Sequence, residues 1–302
     1  MQAQGQDYRK YLDPSVISKL NSLELKARTV VEGFMVGYHK SPYHGFSVEF
    51  SEHRPYFQGD SIKNIDWKVY GRKEKFFTKR YEEETNLICN IILDTSKSMI
   101  YKNEGKLSKL EYGKILAASL SYLMIKQQDA VGLTLFDDKI ENELQPKASR
   151  IYLNRILSSL NDIESIHKTN TSKCLDVVSE RIKKRGLVII ISDFFDDLEM
   201  VLNSVKRFRY KKNEVIVFQI LDPVERNFAF NKDAIFVDLE TGEELTTQSV
   251  QIQKEYQKTF SEYLQKLSSE CLNNGIEYNL IDTSQNFDTA LLSYFKKRVK
   301  LH

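Results

Sequence analysis

The chain has 302 residues, 41% of them hydrophobic and 28% charged, which is enough to bury a substantial core in one large domain or two. Lys and Arg number 44 against 42 Asp and Glu, a net +2, so the composition gives no electrostatic case for nucleic acid or a membrane surface as the main partner. Cys89, Cys174 and Cys271 lie far apart with no paired spacing, which argues against a zinc site or a disulfide framework and reads as reduced core thiols of a cytosolic protein.

The first segment, "MQAQGQDYRKYLDPS", is polar and lacks the apolar stretch of a secretion signal. No apolar run approaches the roughly 20 residues needed to span a bilayer. A cytoplasmic protein without membrane insertion is the expectation. A helix is predicted over residues 14–36, introduced by Asp13 as N-cap with Pro14 at the first helical position. Gly, Pro and aromatic residues then dominate to about residue 86. Short alternating pieces such as "FSVEF" and "KFFTKRYEEE" suggest a small β-rich element. It is too short for much of a core of its own, so residues 1–86 are expected to form a helix and small element packing on a main domain of 87–302.

From residue 87 the texture changes. "LICNIILD", "AVGLTLF", "GLVIIISD", "EVIVFQILD" and "IEYNLID" are strand-like, and four of them are near-continuous apolar runs of the kind buried on both faces of a sheet. Amphipathic segments lie between them, at roughly 107–127, 149–161, 172–184, 197–210, 249–273 and 286–299. The alternation predicts right-handed βαβ crossovers and an α/β fold with an open, doubly wound, mostly parallel sheet. "AIFVDLETGEELTTQS" interrupts the series and reads as a hairpin around Thr241-Gly242, appended to the sheet.

One stretch carries chemistry. In "NIILDTSKSMI" a buried strand ends in Asp94, and Ser96 and Ser98 follow at alternate positions. Ligands of open parallel sheets collect beyond the carboxyl ends of the strands. One carboxylate and two hydroxyls from a single loop form a hard-oxygen set suited to Mg²⁺ or Mn²⁺. Further ligands must come from other strand ends. Thr169 in "HKTNTSKCLDVV" precedes a helix, and Asp193 ends the apolar strand of "GLVIIISDFFDD". Each also has a structural alternative, since Ser, Thr and Asp are favoured at turns and helix caps.

This constellation resembles the metal-ion-dependent adhesion site of von Willebrand factor A domains. The resemblance matches Asp94, Ser96 and Ser98 to the loop triad, Thr169 to the family's threonine with Thr171 close by, and Asp193 to the distal aspartate, which in that family often reaches the ion through water. It covers about residues 87–300. It also implies that movement of Asp193 toward the ion could couple partner binding to a shift of the C-terminal helix. The preceding segment, with Gly59-Asp60, "IDW" at 65–67, Gly71-Arg72 and "YEEETN", is similar to the bacterial family catalogued as domain of unknown function 58. That resemblance implies an adaptor role beside a MoxR-type AAA+ ATPase. Many members begin with two membrane helices, and this chain looks like the soluble type.

Other roles find less support in the residues. Asp60, Asp66 and Trp67 read as a turn and a buried anchor rather than a second site. The basic run at Arg72, Lys73, Lys75, Lys79 and Arg80 is followed at once by "YEEE", so internal charge pairing is its default reading. The five histidines show no ligand spacing. There is no phosphate-cradling loop with the Lys-Ser/Thr ending and no GxSxG. A dehalogenase-like phosphatase would need an acid/base carboxylate two residues after Asp94, where Ser96 stands. A non-enzymatic, metal-dependent adaptor is therefore the expectation, with a metal-assisted hydrolase and a scaffold with an empty loop as alternatives.

Overall fold

The structure is a computed structural model, and it describes residues 12–39, 53–55, 70–71, 75–79, 87–103, 106–163, 171–228, 234–237, 244–247 and 249–301. The chain forms two compact units, residues 1–40 together with 87–302, and residues 41–86.

The larger unit opens with α1 (Pro14–Ile17) and α2 (Leu23–His39). Asp13 caps α1 by accepting from the Ser15 N–H at 2.7 Å, with Pro14 as the first helical residue. The single helix expected over 14–36 is thus two. The chain breaks after Ile17, and the Ser22 hydroxyl starts the second helix by accepting from the Leu25 N–H at 3.2 Å. Ala27, Val30, Val31 and Phe34 of α2 are buried in the main core, so the larger unit includes this helix, and the smaller one begins at Ser41.

Alternating strands and helices follow: β3 (Ile88–Asp94), α3 (Lys109–Lys126), β4 (Ala130–Phe136), β5 (Ile140–Lys147), α4 (Arg150–Asn161), α5 (Thr171–Arg181), β6 (Leu187–Ser192), α6 (Leu198–Tyr210), β7 (Glu214–Leu221), α7 (Pro223–Asn227), α8 (Ser249–Asn273), β10 (Glu277–Asp282) and α9 (Asp288–Leu301). The six-stranded sheet has the order β10-β7-β6-β3-β4-β5, parallel except for β5, which pairs antiparallel with β4. This is the doubly wound, mostly parallel α/β arrangement read from the sequence, with its strand order reversing between β3 and β6. The side-chain period of two divides each buried strand between two cores. Ile91, Leu93, Ile189 and Ile191 pack with α2, α3, α4 and α9, whereas Ile92, Val188 and Ile190 pack with α5, α6 and α8.

The hairpin expected around Thr241-Gly242 is present as β8 (Ala234–Val237) and β9 (Glu244–Thr247), which form a two-stranded sheet of their own. In the smaller unit, β1 (His53–Pro55) pairs antiparallel with β2 (Phe77–Lys79), and the rings of Tyr70 and Phe76 stack at 4.4 Å. "FSVEF", Asp60, Asp66, Trp67, Arg72, Lys73 and Arg80 lie outside the described residues. Among the described residues, no helix is long and apolar enough to cross a membrane.

The C-terminal helix α9 is fastened to the amino-terminal edge of the sheet. Arg298 pairs with Asp129, whose side chain is fully buried and also accepts from the Leu87 N–H at 3.2 Å. Arg298 also donates to the Tyr294 hydroxyl at 2.8 Å, and Phe295 stacks on Phe34 at 5.2 Å. Arg298→Ala removes the cationic partner of a buried carboxylate and is expected to destabilise the fold by about 3 kcal/mol, the usual penalty for breaking such a pair from one side. Urea denaturation measures this, and a loss of a few tenths would mean that Asp129 finds water or another donor.

Candidate metal centre

Asp94 is the last residue of β3, and Ser192 is the last residue of β6, the neighbouring parallel strand. Both lie at the reversal point of the sheet, the place where open parallel sheets collect ligands. Asp94 is fully buried. Its Oδ1 accepts from the Ser96 N–H at 2.9 Å, and its Oδ2 accepts from the Ser192 hydroxyl at 2.6 Å. The chain then turns through a 3-10 segment, Lys97–Ile100. Ser96 stands at the cap position of that turn, yet its side chain makes no capping bond. Its Oγ instead lies 3.1 Å from Ser98 Oγ. Thr95 holds the loop in place, since its N–H and hydroxyl both donate to the Phe136 carbonyl at the end of β4, at 2.7 and 2.9 Å.

Asp193 follows Ser192 directly. It does not cap α6, because Asp197 does so by accepting from the Met200 N–H at 2.9 Å. Phe194, next in the chain, is buried and adopts a left-handed φ of 59°, an unfavourable choice for a bulky residue that must be held by its surroundings. Its N–H donates to the Ser192 hydroxyl at 2.9 Å, and its carbonyl accepts from the Tyr263 hydroxyl at 2.5 Å. The Gln219 side chain, held by Tyr278, donates to the Asp193 carbonyl at 2.8 Å. The turn that delivers Asp193 is therefore fixed from three elements.

Four of the five predicted residues can be placed. Asp94, Ser96 and Ser98 form one bonded loop, and Ser192 joins the loop to the strand end that carries Asp193. Thr169 lies outside the described residues. Thr171, at the start of α5, has a buried hydroxyl oxygen that meets no hydrogen-bond partner among the described residues. One turn further along the same helix, the buried Cys174 thiol donates to the Asp137 carbonyl at 3.7 Å, just beyond the end of β4, and burial, with the charges of Asp137 and Asp94, pushes that thiol up to about 12. A buried polar oxygen without a partner is costly unless something binds it. The carboxylate and two serine hydroxyls of the Asp94 loop, like the threonine hydroxyl, are the donor types that a hard divalent cation takes.

Sequence reading missed Lys109. This first residue of α3 is fully buried, and its ammonium contacts Asp193 Oδ2 and Glu225 Oε1, both at 2.7 Å. Burial opposes its charge, but the two carboxylates outweigh that and raise its pKa. A lysine within a helix-start pattern, 84 residues from its partner Asp193, gives no local signal. Among the described residues, Asp137, Asp138 and Glu141 form a separate acidic group, the last two exposed, of a kind common on surfaces without an ion.

Burial, reinforced by the charge of Asp193, pushes the Asp94 carboxyl up to about 7 against the bonds from Ser192 and Ser96. The ordinary carboxyl value is near 4, so the folded chain retains a proton that the unfolded chain releases between roughly pH 4 and 7. Ion-free stability contributed by this group therefore falls as pH rises through that window and levels off above it. In chelator, the wild-type chain is expected to lose on the order of 4 kcal/mol relative to Asp94→Asn between pH 4 and pH 8. Urea denaturation of both proteins at the two pH values checks this, and parallel pH profiles would contradict it.

Residues 52–265 match the family described as protein of unknown function DUF58. The chain is also similar to the uncharacterized protein Rv1480 of Mycobacterium tuberculosis, 21% identical over 233 residues that cover 76% of this chain and 73% of that one. An uncharacterized protein of Mycobacterium bovis, Mb1516, matches to the same extent. Among solved structures, conserved hypothetical protein BatB from Bacteroides thetaiotaomicron aligns with a TM-score of 0.48 at 19% identity, covering 71% of this chain and 99% of that one. The SpRpn10 VWA domain aligns with a TM-score of 0.38 at 13% identity, covering 69% and 94%.

Proposed function

This chain belongs to the DUF58 family, and we propose that it is a non-enzymatic adaptor that binds a partner protein through a divalent cation, Mg²⁺ or Mn²⁺, held by Asp94, Ser96, Ser98 and a threonine of the segment around Thr169 and Thr171. The supporting observation is the Asp94 loop itself. Ser96 stands at a cap position but leaves its hydroxyl free of capping and beside that of Ser98. A loop built only to turn the chain would use that oxygen on the backbone.

The chemistry follows from the donor types. Neutral hydroxyls and one carboxylate leave a bound divalent cation with residual positive charge, which would attract an Asp or Glu side chain of the partner. The residues of the chain do the positioning. Thr95 pins the loop to β4, Ser192 orients the Asp94 carboxylate, and Asp94 and Ser96 are buried while Ser98 is half-buried. The resemblance noted in the sequence nominates a MoxR-type AAA+ ATPase, or its client, as the partner.

A scaffold whose loop takes no ion is the second reading, and one observation favours it: the Lys109 ammonium already neutralises Asp193. The two readings separate in a pull-down with the ATPase co-expressed. The adaptor retains it in Mg²⁺ and releases it in chelator or as Asp94→Ala. Equal retention in all three conditions would contradict a cation-dependent interface.

A further inference from the structure

We propose that Lys109 is the internal counter-ion of this site, holding Asp193 in the ion-free protein and competing for that carboxylate with a divalent cation bound beside Asp94. The inference rests on the metal reading above and adds its regulation.

The placement of Lys109 is costly in every local respect. It begins α3, where the helix dipole disfavours a cation, and its side chain is completely buried, where an ammonium without partners would not stay charged. Ser108 and Glu111 complete a capping box around it, so the helix does not need the lysine to start. What retains it is the carboxylate on either side, with the ring of Phe195 4.8 Å from the ammonium.

Both oxygens of Asp193 are engaged. Oδ2 binds Lys109, and Oδ1 accepts a long bond from the Phe195 N–H at 3.3 Å. A cation that draws Asp193 toward the Asp94 loop therefore competes with the lysine for it. Its partner Glu225 would then hold the ammonium alone. Glu225 belongs to the capping box that starts α7, where its Oε2 accepts from the Asp222 N–H at 3.0 Å. Asp222 in turn accepts from the Asn103 N–H at 3.0 Å, in the loop that leads into α3. The Tyr256 hydroxyl of α8 donates to the Glu225 carbonyl at 3.0 Å. A change at Asp193 is thus passed to α7 and α8, whereas α9 is fastened elsewhere by Arg298 and Asp129.

The test compares wild type, Lys109→Met and the double variant Lys109→Met/Glu225→Gln, with Mn²⁺ as probe, by calorimetric titration and by thermal unfolding in chelator or in Mn²⁺. Removing the competing ammonium is expected to tighten Mn²⁺ binding about tenfold or more, a conservative figure for a unit charge within a few ångströms of a carboxylate ligand. Lys109→Met is also expected to melt lower in chelator and to recover more than wild type on adding Mn²⁺, because the ion then compensates Asp193. If the single variant does not fold in chelator, the double variant, which buries one carboxylate fewer, must show the same tightening. Wild type that binds Mn²⁺ with Lys109→Met binding no tighter would overturn the counter-ion role and leave the metal reading intact. Binding by Lys109→Met alone would support the counter-ion role and reject an ion site in the wild-type protein. Binding by neither would overturn both.

Discussion

Gly186→Ala is expected to destabilise the fold by about 3 kcal/mol or more, the upper range for overpacking a rigid interior. Gly186 is the residue that leads into β6, where β6 enters the sheet between β3 and β7. A Cβ there would lie 2.1 Å from the Ile88 carbonyl oxygen and 3.0 Å from the Ile88 carbonyl carbon. Both obstacles are backbone, so no side-chain rotation relieves them. The chain cannot swing away either. The Gly186 N–H donates to the Asn213 side chain at 3.1 Å, and the Gly186 carbonyl accepts from the Glu214 N–H at 2.9 Å. Relief requires β3 and β6 to part, and these are the strands whose carboxyl ends carry Asp94 and Asp193. Urea denaturation of Gly186→Ala beside Gly71→Ala, where nothing among the described residues lies within 4 Å of the added Cβ, gives the comparison. Equal stabilities would mean that the entry to β6 is looser than described.

The central strands were legible in the sequence because parallel strands buried on both faces are continuous apolar runs, and "GLVIIISD" and "EVIVFQILD" have no other comfortable environment. β5 was not. "IENELQPK" is charged, alternates between part-buried and exposed positions and contains Pro146, features that suit an antiparallel edge strand and give no apolar signal. The short helix α7 was missed for a different reason. Five residues carry no periodicity, and its start is fixed by the Asp222–Glu225 capping box, which is visible only once β7 is known to end at Leu221. The break between α1 and α2 was hidden because the apolar pattern continues across it while Ser22 restarts the helix.

At the candidate site the local part was readable and the distant part was not. Asp94, Ser96 and Ser98 are spaced within one loop, so their convergence follows from the chain itself. Asp193 was readable as a strand end, but its engagement by Lys109 was not, since nothing near either residue points to the other. The same holds for Ser192, whose hydroxyl ties Asp94 to β6 at 2.6 Å: a serine at a strand end is ordinary until the neighbouring strand is identified. The expectation that the C-terminal helix responds to the site finds a physical obstacle in the Arg298–Asp129 pair, and the connections from Lys109 lead to α7 and α8 instead.

Asp94→Asn is the second change with a large expected effect. The amide keeps the shape of the carboxylate: its oxygen can still accept from the Ser96 N–H, and its NH2 can donate to the Ser192 hydroxyl oxygen in place of the bond that hydroxyl gave, so the turn and the strand end need not rearrange. It removes the charge whose burial the ion-free protein bears, so stability in chelator above pH 7 is expected to stay level or rise. What it takes away is the one anionic ligand of the loop. The remaining donors of the loop are hydroxyls, which do not hold a hard divalent cation against water, and Asp193 is held by Lys109. Loss of a direct anionic ligand is expected to weaken binding by about a hundredfold or more. Calorimetric titration of Mn²⁺ into wild type and Asp94→Asn at pH 8 is the most direct measurement. Saturable binding to a single site is expected in wild type and none at millimolar Mn²⁺ in the variant, with both proteins equally folded; no binding to wild type, or equal affinity in the two, would contradict a cation held by Asp94.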